Sequence, residues 1–177
     1  MLKGCSKVKT EVRREQITQA AFNVISSHGV KGLTTSAIAK DLGISGANLY
    51  RHFENKKEIL NSVVDKIGEG LLQNLEAVQR SPFKNPLLKL RRLFKLHLEY
   101  IENNKGIPRL VYSEEMHIAN VKLRGRLLDA INSYTKGIAL LIRGGQENGT
   151  INKNMDPKSI DLMPVCFVKY ALEYGLR

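Results

Sequence analysis

Residues 43–60 read GISGANLYRHFENKKEIL and form the most informative stretch of the sequence. Tyr50, Arg51 and His52 lie between two turn signals, and the pair Lys56-Lys57 follows shortly after them. Such polar side chains are unfavourable in a buried helix, because burying them without partners costs free energy. A surface that meets an anion would use nearly all of them, so we expect this stretch to bind a polyanion.

Two short helices joined by a tight turn are predicted here. Thr34 is a good N-cap for a first helix that ends at Gly43, where glycine supplies the left-handed stop. The side chains expected to face the core from this helix are Ala37, Ile38 and Leu42. Ser45 caps a second helix over about residues 46–52, which is too short to be stable without its neighbours. Two such helices around a turn containing glycine form a helix-turn-helix.

The 3.6-residue period of a helix recurs along almost the whole chain, and strand signals are few. A first helix over about residues 10–28 ends at Gly29, and its apolar stripe consists of Ile17, Ala20 or Ala21, Val24 and Ile25. Asn55 caps a long helix to about residue 79, with Glu58 in a capping-box position. After the breaker at 81–86, one helical face carries Leu90, Phe94, His97 and Ile101. A short segment (109–117), a long helix (121–146), a loop from residue 144 and a final helix from residue 158 complete an all-α chain.

The charge of the chain favours a polyanionic partner. Its 28 Lys and Arg residues outnumber 17 Asp and Glu residues, for a net charge of +11. Nucleic acid and an anionic membrane are the two leading candidates. No apolar run approaches the length of a membrane span, so no membrane partner is predicted. Cys5 and Cys166 form neither a disulfide framework nor a zinc motif, and a reducing cytoplasm is the expected location.

The second helix of a helix-turn-helix presents its N-terminal residues to base edges in the major groove. Those residues are Ser45, Gly46, Ala47 and Asn48, and Asn48 has the donor and acceptor that adenine pairs with. The side chains expected to contact phosphate are Thr35, Tyr50, His52 and Lys56. Leu49 and Phe53 would pack inward. The competing interpretation is a pair of packed helices whose polar faces are merely solvated.

The longer string of residues 29–60, GVKGLTTSAIAKDLGISGANLYRHFENKKEIL, resembles the DNA-binding domain of the TetR family of bacterial transcriptional regulators. The resemblance extends back through Arg14, Ile17 and Ala20-Ala21 and covers about residues 10–60. The elements that carry it are Gly29, Thr34-Thr35, Ile38-Ala39, Gly43-Ile44-Ser45, Leu49-Tyr50, His52-Phe53, Lys56 and Leu60.

The resemblance implies two domains, a helix-turn-helix DNA-binding domain at 1–54 and a helical ligand-binding and dimerisation domain at 55–177. It implies a homodimer built on the last two helices and a pseudo-palindromic double-stranded DNA operator with half-sites ~34 Å apart, or a multiple of that. A small-molecule effector would release the repressor from DNA, with the helix from Lys56 as the lever. The alternative is an architectural or division-related DNA-binding protein without an effector.

Other signals are weaker. A ligand cavity could be lined by His97, Tyr100, Met116, Tyr134 and Phe167, although each of them suits a plain core equally. Glu114 and His117 form half of a di-iron motif without a second copy, so no metal is predicted. The basic groups Arg91-Arg92-Lys95 and Lys122-Arg124-Arg126 are interpreted as solvated faces, with an anionic ligand such as an acyl-CoA as the alternative. No catalytic or cofactor motif is present, so no enzyme and no cofactor are predicted.

Overall fold

The computed structural model describes residues 3–116, 121–154 and 156, with side chains from residue 10 onward. Its helices are α1 (Lys3–His28), α2 (Thr35–Leu42), α3 (Gly46–Tyr50), α4 (Lys56–Gln79), α5 (Pro86–Asn103), α6 (Gly106–Val111) and α7 (Val121–Glu147). The described residues include no strand, which confirms the predicted all-α class.

The chain forms two compact units. The first comprises residues 1–66 and 104–123, and the second comprises residues 67–103 and 124–177. The start of α4 therefore belongs to the first unit and its remainder to the second. The functional boundary expected after residue 54 stays a prediction.

In the first unit, α1 packs against α2 and α6. The buried side chains of α1 include the predicted stripe, and they meet Ile38 and Ala39 of α2 in an apolar core. Ala37 and Leu42, which were expected inside, are only half-buried. Gly106 allows α6 to approach α1 closely, because a Cβ there would come within 2.9 Å of the Phe22 carbonyl oxygen.

α1 begins at Lys3, earlier than the predicted start near residue 10. Neither proline nor glycine interrupts the chain between Cys5 and His28, so nothing local stops the helix from extending toward the N-terminus. Its C-terminus is as predicted: Gly29 has φ 70° and its N–H bonds the Ile25 carbonyl at 2.9 Å.

In the second unit, the later part of α4 packs with α5 and α7. Gly68 illustrates the contact, since a Cβ there would come within 2.7 Å of the Ala130 Cβ on α7. The predicted inward face of α5 was partly wrong. Phe94 is 42% exposed, whereas Leu93 is 1% exposed, because Pro86, Leu93 and His97 define the buried face. Leu90 and Ile101 are half-buried at its border.

α7 extends through Gly144 and Gly145, where a loop was predicted to begin. The Ile151 N–H bonds the Gly145 carbonyl at 2.9 Å, and a Cβ on Gly145 would meet the Ile151 side chain at 2.5 Å. The chain turns after the helix at Gly149, with φ 76°. The predicted final helix from residue 158, and His117, lie outside the described residues.

Candidate nucleic-acid interface

The helix-turn-helix has the caps that its sequence predicts. The Thr34 hydroxyl oxygen accepts a hydrogen bond from the Ala37 N–H at 3.0 Å and so caps α2. Gly43 ends α2 with φ 64°. The Ser45 hydroxyl oxygen accepts from the Asn48 N–H at 3.3 Å and caps α3, which ends at Tyr50 rather than at residue 52. Each cap accepts a hydrogen bond from an N–H group that would otherwise lack a partner at the start of its helix. Short-range bonds therefore fix where α2 and α3 begin.

Apolar side chains of the helix-turn-helix face inward and its polar ones face outward. Leu49 and Phe53 are 0% and 1% exposed, which confirms them as the packing residues. The predicted DNA-contact residues divide into an exposed group, Ser45, Ala47, Tyr50 and Lys56, and a half-buried group, Thr35, Gly46, Asn48 and His52. All eight lie on the first unit and retain some accessible surface, as a DNA-contacting edge requires.

The start of α4 adds a positive helix end to this edge. The Asn55 side chain accepts the Glu58 N–H at 3.0 Å, which confirms the predicted cap. Glu58 reaches back as expected of a capping box, but its carboxylate accepts from the Glu54 N–H at 2.7 Å rather than from Asn55. The ammonium of Lys56 lies 3.5 Å from the Val30 carbonyl oxygen, so this side chain extends over the α1–α2 loop.

Arg14 joins three segments of the first unit. Its guanidinium donates to the His52 carbonyl oxygen and, at 2.7 Å, to the Glu58 carboxylate. The Arg14 Cζ atom also lies 4.0 Å from the centroid of the Phe53 ring, which is a cation–π contact. We call Arg14, His52, Phe53 and Glu58 the Arg14 junction. It connects α1 to the end of the helix-turn-helix and to the first turn of α4.

Further polar contacts continue along the same two helices. The Thr18 and Ser62 hydroxyl groups are 2.8 Å apart, and the Lys66 ammonium lies 3.3 Å from the Glu15 carboxylate. Together with the Arg14–Glu58 pair, they bond α1 to the first part of α4 over several turns. The position of α4 is therefore coupled to α1, which carries the helix-turn-helix.

Positive charge surrounds His52. Burial, followed by the charges of Arg13, Arg51 and Arg14, holds the pKa of His52 below its usual range, so its ring is neutral at pH 7. Its Nδ1 atom is buried and has no hydrogen-bond partner among the described residues. The hydrogen bond from the Glu54 backbone, reinforced by Arg14, keeps the pKa of Glu58 low, so its carboxylate remains charged.

The predicted DNA-contact residues include none of the three arginines at this edge, although Arg14 and Arg51 belong to the stretches singled out in the sequence. Arg14 acts through contacts 38 and 44 residues away, which no local pattern reveals. Arg13 and Arg51 lie close enough to lower the pKa of His52, and Arg51 is exposed beside Tyr50. The basic residues clustered at the start of the chain were the only signal that could have indicated Arg13.

The described residues that were predicted to line a ligand cavity are divided between the two units. His97 and Tyr134 stack in the second unit, with ring centroids 5.8 Å apart. Tyr100 lies in the same unit, and its hydroxyl donates to the Ile67 carbonyl at 3.4 Å. Met116 is fully buried, but it belongs to the first unit. Phe167 lies outside the described residues.

The described part of the chain provides neither a metal-ligand cluster nor a membrane-spanning helix. Its His, Cys, Asp and Glu side chains nowhere form a group of three or more that could hold a metal ion. None of its helices is both long and apolar enough to cross a membrane.

Two protein-family models match most of the chain. Residues 17–63 match the family model described as bacterial regulatory proteins, tetR family. Residues 57–168 match a second model, described as YsiA-like protein, C-terminal region.

Curated relatives include nucleoid occlusion factors named SlmA. The chain is 30% identical to the factor of Idiomarina loihiensis over 131 residues, which cover 74% of this chain and 66% of that protein. It is 32% identical to the Vibrio cholerae factor over 132 residues, which cover 74% and 67%. The chain thus matches about two thirds of the length of these relatives.

Solved structures share the fold. A Bacillus subtilis regulator, FadR, in complex with stearoyl-CoA is 23% identical with a TM-score of 0.68, covering 89% of this chain and 84% of that one. A Saccharomonospora viridis regulator in complex with choline is 23% identical with a TM-score of 0.75, covering 90% and 82%. At these identities the likeness concerns the fold alone.

Proposed function

Since the chain belongs to the TetR family of DNA-binding regulators, we propose that it is a dimeric repressor that a small molecule releases from a pseudo-palindromic operator. The observation that carries the proposal is the capped helix-turn-helix with its polar, basic edge on the first unit. Residues 57–168 match the C-terminal region of a YsiA-like protein, and this match supports the assignment of effector binding to that half of the chain.

The DNA contacts divide by chemistry. We propose that Ser45, Gly46, Ala47 and Asn48 face the bases, because they begin α3 and a short side chain allows close approach. The Ser45 oxygen already accepts the Asn48 N–H, but its hydroxyl hydrogen remains free to donate. Thr35, Tyr50, His52 and Lys56 would bind phosphate and set the register without reading sequence.

Release by an effector requires the ligand to have different affinities for the DNA-bound and free conformations. α4 is the element best suited to couple ligand binding to DNA binding. It begins beside the proposed phosphate contacts at Lys56, is bonded to α1 through the Arg14 junction, and ends in the second unit at Gln79. A ligand that shifts α4 would therefore alter the helix-turn-helix.

The test is DNA binding by purified protein. A site is selected from genomic DNA that includes the chain's own promoter, and affinity is measured by fluorescence anisotropy as a function of salt. Lys56→Ala should weaken binding to all sequences and lower the salt slope by about one. Lys57→Ala is the matched control, since it removes the same charge one position further along α4. Asn48→Ala should relax the preference at one base pair only.

Three results would contradict the proposal: no specific site, a monomer at DNA-binding concentrations in analytical ultracentrifugation, or equal slopes in both lysine variants. The absence of a specific site would refute the role as a regulator. A monomer would refute the palindromic operator, and equal slopes would refute the phosphate contact of Lys56.

A second candidate function follows from the SlmA relatives. We propose as the alternative that the chain binds DNA in nucleoid occlusion, without an effector. Chromatin mapping separates the two functions. Many scattered chromosomal sites, with no transcriptional change on deletion, would favour this alternative, whereas one or a few promoter sites would favour the repressor.

A further inference from the structure

Two aromatic side chains in the second unit each bury a polar atom that lacks a hydrogen-bond partner among the described residues. His97 on α5 is 3% exposed and Tyr134 on α7 is 0% exposed, and their rings stack at 5.8 Å with an interplanar angle of 20°. Among the described residues, neither the His97 Nδ1 atom nor the Tyr134 hydroxyl has a hydrogen-bond partner. Two of the three buried side-chain atoms without a partner among the described residues therefore belong to one contacting pair, and the third is His52 Nδ1.

Such a pair is unfavourable in a plain core, because a buried polar atom that loses water without gaining a partner destabilises the fold. Hydroxyl groups of other described residues in similar surroundings do have partners, although the His52 Nδ1 atom in the first unit does not. The Thr18 hydroxyl bonds the Arg14 carbonyl and Ser62, and the Tyr100 hydroxyl bonds the Ile67 carbonyl. A leucine and a phenylalanine would fill the same space without this penalty, which points to a ligand group that completes the pair.

The surroundings select an uncharged group. Leu93, Ile131 and Ile138 occupy the adjoining turns of α5 and α7, and each is almost fully buried. Over the described residues, the buried side chains include no Lys, Arg, Asp or Glu. A ligand ion here would meet no buried opposite charge among the described residues to compensate its lost hydration. The pair itself supplies none at pH 7, since burial lowers the pKa of His97 and raises that of Tyr134.

We propose that His97 and Tyr134 form the polar anchor of the effector site, and that the effector is a mainly apolar molecule carrying one uncharged hydroxyl or carbonyl group. The Tyr134 hydroxyl donates to the ligand oxygen. The His97 Nδ1 atom accepts from a ligand hydroxyl, or in its other tautomer donates to a ligand carbonyl. This inference rests on the proposed effector response and specifies the chemical class of the effector.

The experiment uses four probes of matched size: n-octanol, methyl hexyl ketone, octanoate and octylammonium. Binding to the full chain is measured by calorimetry and by the shift in melting temperature. The two neutral probes should bind at least roughly ten-fold more tightly than the two ions. Tyr134→Phe keeps the ring but removes the hydroxyl, and should weaken neutral-probe binding roughly three- to ten-fold.

Tyr112→Phe is the control, because Tyr112 belongs to the first unit and lies outside the proposed site. It should leave neutral-probe affinity within about two-fold. Tyr134→Phe should leave the stability of the free protein unchanged or raised. His97→Leu provides a second variant of similar volume, with the same expected loss of binding.

The proposal is overturned if an ion binds as tightly as its neutral counterpart, if no probe binds, or if Tyr134→Phe leaves neutral-probe affinity unchanged. If a buried water rather than a ligand bonds the pair, Tyr134→Phe should leave neutral-probe affinity unchanged and make the protein less stable. DNA release is scored separately. Neutral probes that bind through Tyr134 without releasing DNA would refute the effector response but not the site, whereas release by a compound insensitive to both variants would refute the site alone.

Discussion

Arg14→Met tests whether the Arg14 junction positions the helix-turn-helix. Methionine retains an unbranched apolar stem but loses the guanidinium, and with it the bonds to the His52 carbonyl and Glu58 and the contact with Phe53. A hydrogen bond from a charged donor contributes about 1.5–3 kcal/mol. The cation–π contact contributes about 0.5–1 kcal/mol at an exposed site, and an exposed ion pair about 0.2–1 kcal/mol.

These contributions do not add, because one group makes all three contacts and 38% of the Arg14 side chain is exposed. We therefore expect Arg14→Met to lower the free energy of unfolding by about 2 kcal/mol, which corresponds to a melting temperature about 4–8 °C lower for a chain of this size. Arg14→Lys should lose about half as much, because an ammonium cannot reproduce the planar fork of donors.

The salt dependence of DNA binding distinguishes positioning from phosphate contact. The Arg14 charge is already paired with Glu58, so Arg14→Met should weaken binding to every sequence without changing the salt slope, whereas Lys56→Ala should reduce the slope by about one. A double-mutant cycle with Glu58→Gln should give a coupling energy of at least about 0.5 kcal/mol. If Arg14→Met lowers the slope as Lys56→Ala does, or leaves the melting temperature unchanged, the positioning role is wrong.

Three further predictions concern pH and helix packing. DNA affinity should rise as pH falls from about 7.5 to 5.5, because a phosphate raises the depressed pKa of His52 and binding then takes up a proton; His52→Gln should flatten this profile, and an equal profile in the variant would refute it. The depressed pKa of His97 predicts stability that is fully present above the unfolded value near 6.5 and lost as pH falls below it. Urea denaturation should show a smaller loss in His97→Leu, which retains only the contributions of other groups such as His52, whose pKa is also lowered. Gly137→Ala should destabilise the protein by about 1–3 kcal/mol, because its Cβ would overlap Leu75. Gly144→Ala, with nothing near its Cβ, should stabilise the protein by about 0.5–1 kcal/mol. The opposite order of melting temperatures would contradict the α4–α7 packing.

Much of the helix-turn-helix could be predicted because its signals are local. Thr34, Ser45 and Asn55 each cap a helix by accepting an N–H three residues further on, and Gly43 reverses the chain with its own positive φ. These bonds depend only on neighbours in the chain, so residue type and spacing suffice to locate them.

The inward face of α5 could not be derived with the same accuracy. Leu93 and Phe94 are adjacent and both apolar, so composition favours neither, and the rotation of the helix about its axis decides which one is buried. α7 was expected to reach about residue 146 and ends at Glu147, but the loop after it was predicted to begin too early, at Gly144, for a related reason. Gly144 and Gly145 resemble a loop, but the packing of Ile151 on Gly145 continues the helix to Glu147.

The amino-acid sequence alone identified the all-α class, the helix-turn-helix, its caps and its basic edge, because periodicity, capping and charge act over a few neighbouring residues. The Arg14 junction and the stacked His97–Tyr134 pair emerged only from the folded chain. Arg14 meets Glu58 across 44 residues, and the two rings come from different helices. Such contacts depend on how whole helices pack, and no spacing along the chain encodes which side chains will then meet.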